Sequence, residues 1–249
     1  MLHFKDNIAQ QRVHAGSVAV FWLGQAGFVF KTADGVVAAV DPYLSDCCAR
    51  YFGFRRLMPK LADPSDFPLD ALFCTHAHYD HFDPDAVPLL LANGARLYAA
   101  RDCATECARL QIEGGSYLQP GDAVRCGDLQ AEAVRCDHGA GAPDAIGLVL
   151  TAGGKRIYFM GDTCLRPDWY DDERLQNADL LIAPINGAFG NLNEAQAAQA
   201  AWLLHARHTI PCHYWNFAEH GGDPQRFAEA MRTAGLPYTL LPMGGCLVL

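Results

Sequence analysis

The chain has 249 residues, 51% of them hydrophobic and 19% charged, with a formal net charge of −9. That is enough for one substantial core, read as a single domain over residues 1–249, and it excludes a disordered chain. The acidic balance argues against a nucleic-acid partner, and no run reaches the ~18 apolar residues of a spanning helix, so no membrane partner is expected. The start, Met1 to Asn7, lacks the basic and apolar regions of a signal peptide. Ten cysteines lie scattered through apolar segments without a C-x-x-C pair. They read as small core hydrophobes in a reducing compartment, so the expected location is cytoplasmic.

In chain order, Val18–Leu23 reads as a strand, followed by a turn at Gly24–Gly27 and a second strand, Phe28–Lys31. The Asp34-Gly35 pair predicts a hairpin into Val36–Val40, and Asp41-Pro42 is expected to end that sheet. Tyr43–Phe67 has little periodicity and several prolines and reads as a long, functional loop. The apolar run Asp70–Thr75 predicts a buried strand. Asp83 and Pro84 look like the cap and first residue of a helix leading into Ala86–Ala92. Strand Arg96–Ala99 and a helix over about Asp102–Leu110 follow. Leu129–Cys136, Ile146–Thr151 and Lys155–Met160 read as strands, the last two joined by Gly153-Gly154. Ala178–Ala183 is strand-like, Asn193 caps a helix over Glu194–His205, and His208–Cys212 is again a strand. Asp223-Pro224 opens a helix over Gln225–Ala234 that Gly235 stops. Tyr238–Leu241 and Cys246–Leu249 close the chain as strands. Two sheets back to back, each covered outside by helices, would bury so many strands.

The chemistry concentrates in His76-Ala77-His78-Tyr79-Asp80-His81, directly after a predicted strand. Three imidazoles and a carboxylate crowded together are costly unless a cation collects their lone pairs. For a lone histidine a surface loop would be the better reading; for this spacing it is not. Four more candidates also fall at predicted strand ends: Asp41, His138, Asp162 and His213. Strand ends on one rim of a core converge in space.

This pattern resembles the metallo-β-lactamase superfamily, from about Val18 to Leu249. The H-x-H-x-D-H motif is His76–His81, and His138, Asp162 and His213 follow in the expected order. Within the superfamily the chain is most similar to the L-ascorbate-6-phosphate lactonase group. The likeness rests on Trp22–Phe28, Val40-Asp41-Pro42, Gly161-Asp162-Thr163 and Ile210–Tyr214. The resemblance implies an α/β fold, an αββα sandwich of two mixed β-sheets flanked by helices. It also implies two divalent metal ions. His76, His78 and His138 would hold one, Asp80, His81 and His213 the second, and Asp162 would bridge them. Asp137 stands beside His138 as the alternative donor, and loss of both would leave a single ion. Nitrogen and carboxylate donors suit Zn²⁺, Mn²⁺ or Fe²⁺. The lactonase likeness implies manganese, and the superfamily at large implies zinc. Asp41 is expected outside the direct ligands, taking the ring N–H of a ligand histidine, with a plain turn before Pro42 as the other reading.

Two such ions ~3.5–4 Å apart share a water, lower its pKa and deliver hydroxide to a carbonyl or phosphoryl centre. Asp80 is the carboxylate placed to handle the water's proton. The expected enzyme is a hydrolase of a small carbonyl ester, foremost a sugar-acid lactone, phosphorylated or not. A phosphodiesterase or nuclease and a non-catalytic metal-binding relative are the alternatives. Arg50, Arg55, Arg56 and Lys60, among the aromatics of the long loop, are expected to clasp an anionic small-molecule substrate. A solvated loop or a subunit contact, as in a homo-oligomer, competes with that reading. Tyr214, Trp215, Asn216 and His220 are expected to line the pocket wall, with a surface position for His220 preferred over a catalytic one.

Overall fold

The computed structural model describes residues 4–249. A short helix, α1 (Phe4–Gln10), precedes β1 (Val18–Gly24), β2 (Gly27–Thr32) and β3 (Val37–Val40), an antiparallel meander. All seven residues of β1 are buried, the pattern of a strand covered on both faces. The chain then forms α2 (Cys47–Phe52), β4 (Ala71–Cys74), α3 (Val87–Ala92), β5 (Arg96–Ala100), α4 (Cys103–Arg109) and β6 (Ser116–Leu118). β4, β5 and β6 add to β3 in parallel, and the last strand, β13 (Cys246–Val248), closes the other edge beside β1. The first sheet is therefore not ended by Asp41-Pro42. It continues through three parallel strands, because the segment holding α2 returns the chain to start β4, α3 to start β5 and α4 to start β6.

The second sheet begins as the meander β7 (Ala123–Cys126), β8 (Leu129–Arg135), β9 (Ile146–Ala152) and β10 (Lys155–Phe159). It switches to parallel pairing with β11 (Leu180–Pro184) and β12 (Thr209–Cys212), linked by α5 (Glu194–Leu203). Asn193 accepts the Gln196 amide and Gln196 reaches back to it, a capping box that starts α5 where the sequence places it. Helix α6 (Pro224–Thr233) packs beside α5. Almost all buried apolar side chains form one contiguous cluster, with Tyr43, Cys47, Cys48 and Phe217 as a small satellite. All ten cysteines are free. Among the described residues no helix is long and apolar enough to cross a membrane.

The αββα sandwich matches the expectation; the differences from the sequence reading are local. The short β6 and β7 and helix α1 carry too few periodic residues to announce themselves. Tyr238 forms a single bridge to Thr209 rather than a strand. Tyr43–Phe67 is not bare loop: it holds α2 and a single 3-10 turn, Pro64–Asp66. Gly53, at φ 79°, ends α2 in the left-handed conformation that glycine adopts without a Cβ penalty. The segment is pinned by Asp83, which is fully buried. Its carboxylate accepts the Leu44 and Ser45 amides (2.9 and 2.7 Å) and the Ser45 hydroxyl (2.7 Å). It also accepts the Asp85 and Ala86 amides, capping the turn from which regular helix begins at Val87. Asp83→Ala would leave several buried N–H groups without acceptors. We expect a loss of about 2–4 kcal/mol, read as a lower urea midpoint at unchanged slope.

Candidate metal centre

Chain direction explains why the ligands meet. β8 is antiparallel to β9, which is antiparallel to β10, so β8, β10, β11 and β12 all run the same way. Their carboxyl ends carry His138, Asp162 and His213 on one rim. β3 and β4, parallel in the facing sheet, deliver Asp41 and the His76–His81 turn to the same place. The rims are tied together: the Ile146 amide donates to the Thr75 carbonyl (3.0 Å) and the His213 amide to the Gln25 carbonyl (3.0 Å). Gly161 permits the close approach, since a Cβ there would stand 2.9 Å from the Ile146 carbonyl oxygen. Three of the site's residues, Gln25, Asp41 and His213, hold left-handed φ of 51°, 49° and 63°. Non-glycine residues adopt that backbone at a cost that the hydrogen bonds around these three offset.

Two groups of donors result. His76 Nε2 and His138 Nε2 stand 3.0 and 3.2 Å from His78 Nδ1. His81 Nε2 lies 3.2 Å from His213 Nε2, and Asp80 Oδ2 lies 3.7 and 3.4 Å from those two nitrogens. Asp162 touches both groups. Its Oδ1 is 3.3 Å from His81 Nε2; its Oδ2 is 3.1 Å from His213 Nε2 and 3.7 Å from His138 Nε2. Two nitrogens about 2.1 Å from one tetrahedral ion would be about 3.4 Å apart, so these spacings fit divalent cations. Asp162 Oδ1 is buried without a hydrogen-bond donor, as a metal ligand's oxygen would be.

Partners outside the two groups fix their orientation. Asp41 accepts the Thr75 amide (2.8 Å) and hydroxyl (2.6 Å) and faces His81 Nδ1 at 2.7 Å. That contact assigns the ring proton to Nδ1 and turns Nε2 inward. Asp137 is taken up by Arg166 at 2.5 Å, which holds its carboxyl below the usual range, so His138 is the residue at the cluster. Two contributors carry no ligand-like signal in the sequence. Gln25 donates to Asp80 Oδ2 (2.8 Å), and Asn191 donates to Asp162 Oδ2 (2.7 Å). Amides on turns look alike in sequence whether they serve a site or solvent.

The electrostatics are those of a buried charge cluster. Burial alone would raise the Asp162 and Asp80 carboxyls, but the neighbouring His213 and His81 outweigh it and hold both well below the ordinary range. Burial alone would lower His81 and His213. Asp162 and Asp80 outweigh it, lifting His81 well up and His213 to about 9. Burial draws His76 well down and lowers His138. A cation at the cluster would take the place of the protons that otherwise balance the carboxylates.

A cavity of about 350 Å³ opens onto this floor, with His78, Asp80, His138, Asp162 and His213 exposed to it. Its walls are Phe52, Phe54, Tyr79, Phe189, Phe217 and His220. His220 is therefore on the cavity wall, partly buried. It stacks on His213 at 4.8 Å and 14°, and burial, then His213, pull it down to about 4, so the ring is neutral at pH 7. The expected substrate-binding residues lie elsewhere. Arg56 donates to the Tyr43 and Ser45 carbonyls and lies over the Tyr43 ring, bracing the loop from within. Arg55 is exposed and does not line the cavity. Tyr214 packs on Trp22 at 5.0 Å, and Asn216 is buried with its side-chain amide unpaired and does not line the cavity. Charge and position in sequence suggested these four; burial among backbone carbonyls and rings took three of them away from the cavity.

Fold and site together define a metal-dependent member of the αββα hydrolases. The family model described as "Beta-lactamase superfamily domain" matches residues 39–214, and the chain belongs to that superfamily and, within it, to the UPF0173 metal-dependent hydrolase family. A UPF0173 metal-dependent hydrolase of Opitutus terrae is 32% identical over 243 residues, covering 90% of this chain and 96% of the relative. One from Anaeromyxobacter dehalogenans is 28% identical over 241 residues, covering 90% and 84%. The solved metallo hydrolase of Ignicoccus hospitalis superposes with a TM-score of 0.76 at 22% identity, over 94% of this chain and 98% of that one.

The raised His213 sets a pH test. A ring whose folded value, about 9, exceeds its unfolded value near ~6.5 contributes stability fully present below ~6.5 and lost as pH rises through about 9. Chelator-treated protein should therefore lose Tm across that window by calorimetry, and metal-loaded protein should not. Asp41→Asn should weaken metal binding by about 10–100-fold, read by competition with a chelating dye.

Proposed function

We propose that the chain is a metal-dependent hydrolase of a small carbonyl ester, foremost a lactone. His76, His78 and His138 would hold one divalent cation, Asp80, His81 and His213 a second, and Asp162 would lie between them. The carrying observation is the Asp162 carboxylate, flanked on both sides by imidazole nitrogens at 3.1–3.7 Å. Zinc, manganese and iron all suit nitrogen and carboxylate donors. Bound cations of this kind supply a water of lowered pKa and positive charge for the developing oxyanion. The remaining work falls to the chain. Asp80, held by Gln25, orients the attacking water; its depressed titration makes it a weak base, so orientation is its larger role. His220 and the aromatic walls line the cavity beside the floor. The acyl carbon–oxygen bond breaks and the water oxygen bonds to the acyl carbon. One water proton ends on the released alkoxide, which a lactone keeps tethered.

The likeness of Trp22–Phe28 and Gly161–Thr163 to the lactonase group supports the lactone reading, and both segments stand at the site: Gln25 holds Asp80, and Asp162 lies at the cluster. The cavity favours a carbonyl ester over a phosphodiester, because among the described residues no lysine or arginine lines it to take phosphoryl oxygens. Elemental analysis of the purified protein should find two divalent ions per chain. Loaded protein should turn over lactones and not bis(p-nitrophenyl) phosphate, and Asp162→Ala should lose more than about 100-fold in kcat/KM, beyond the usual effect of an indirect ligand partner. Phosphodiester turnover without lactone turnover would overturn the carbonyl reading, and full activity in Asp162→Ala would overturn the site.

A further inference from the structure

We infer that the substrate carries an uncharged apolar group, aromatic for preference, lodged against Phe52, Phe54, Phe189 and Phe217. This rests on the hydrolase reading above and concerns the part of the substrate away from the reacting carbonyl. The cavity has two unlike halves. The floor holds the imidazoles and carboxylates; the outer wall is two groups of neighbouring rings, Phe52 with Tyr79 and Phe54 with Phe189 and Phe217. Phe54 lies 6.0 Å from both Phe189 and Phe217, and Phe52 lies 5.5 Å from Tyr79. The rings are tilted by 43–54° to one another and present apolar faces and edges against which a further ring could pack.

The same wall offers an anion nothing. Of the cations on the neighbouring segments, Arg55 is exposed and does not line the cavity, and the others are already engaged. Arg50 pairs with Asp85 at 2.7 Å, Lys60 with Asp46 at 2.9 Å, and Arg109 with Glu106 at 2.7 Å. Arg56 is spent on the Tyr43 and Ser45 carbonyls. The charged groups the cavity does expose beyond its histidines are the carboxylates Asp80 and Asp162. A phosphate or carboxylate on the outer half of a ligand would lose its hydration and gain no partner. Meanwhile Phe52 and Phe189 are 58% and 59% exposed, apolar surface that an apolar ligand would cover. A cavity of about 350 Å³ limits the ligand to a small one, near the lower end for binding pockets.

Specificity is then set by the ring wall. Because Phe52 and Phe189 are half or more exposed, truncating them should not disturb folding, which a melting curve checks. Metal-loaded protein would be tested on γ-lactones bearing methyl, butyl, hexyl and phenyl groups, and on a matched phosphate-bearing lactone. We expect kcat/KM to rise about threefold to fourfold per buried methylene, to favour phenyl, and to be lowest for the phosphate. Phe189→Ala and Phe52→Ala should raise KM for the phenyl substrate about tenfold with kcat little changed. Phe189→Arg should improve the phosphate-bearing substrate relative to the phenyl one. In parallel, binding of the corresponding non-hydrolysed γ-lactams would be followed by calorimetry. Tighter binding of the phenyl than of the phosphate lactam, weakened by Phe189→Ala, supports the apolar site even if no ester is turned over, in which case only the hydrolase reading fails. Turnover with no chain-length dependence, or tighter binding of the phosphate lactam, overturns the inference and leaves the hydrolase reading standing.

Discussion

A buried carboxylate with imidazoles on both sides is the constraint on which the molecule turns. Asp162 is 4% exposed and within 3.1–3.7 Å of His81, His138 and His213. Water cannot solvate it there, so its charge must be balanced inside the protein. The rest of the site is organised around that need. Asn191 takes one oxygen, Asp41 sets the His81 ring, and Gln25 sets Asp80. Each comes from a different segment, so the cluster cannot be satisfied until both sheets are in register. The left-handed backbone at Gln25, Asp41 and His213 is the local strain that such over-determined positions carry.

The two halves of the cavity divide the labour of a hydrolase. The floor is polar, rigid and built on strand ends, which hold donors more exactly placed than loops do. The wall is aromatic and comes from connections: α2 and its exit for Phe52 and Phe54, and segments beyond β11 and β12 for Phe189 and Phe217. The polar floor therefore stays with the sheets, while the shape of the cavity above it comes from the connections. Asp83 links the two, because its carboxylate pins the start of the wall segment and caps the turn that follows the histidine motif.

Much of this was legible before the structure. The strands were, since continuous apolar runs ended by Gly, Pro or Asp carry their own signal; β1, β9 and β10 lie within two residues of where the sequence puts them. The residues that cluster were legible because His76–His81 is dense and because Asp41, His138, Asp162 and His213 each follow an apolar run. The choice between Asp137 and His138 was not, since it depends on Arg166, 28 residues beyond His138 in sequence. Arg55 and Arg56 looked like anion-binding groups because charge is visible in a sequence and its partners are not. Arg56 turned inward to backbone carbonyls, and the aromatics beside it turned to the cavity.

The chain by itself determined the strand runs and the types of the candidate donor side chains, because hydrophobic runs and ligand spacing are local properties, and the resemblance those residues carry implied the αββα sandwich. Only the tertiary structure decided which donors share an ion-sized gap, that Gln25, Asn191 and His220 stand with them, and that the wall facing the floor is apolar. Those outcomes depend on which strand ends meet across two sheets and on which way each loop side chain is turned by its burial, and neither is written within any one segment.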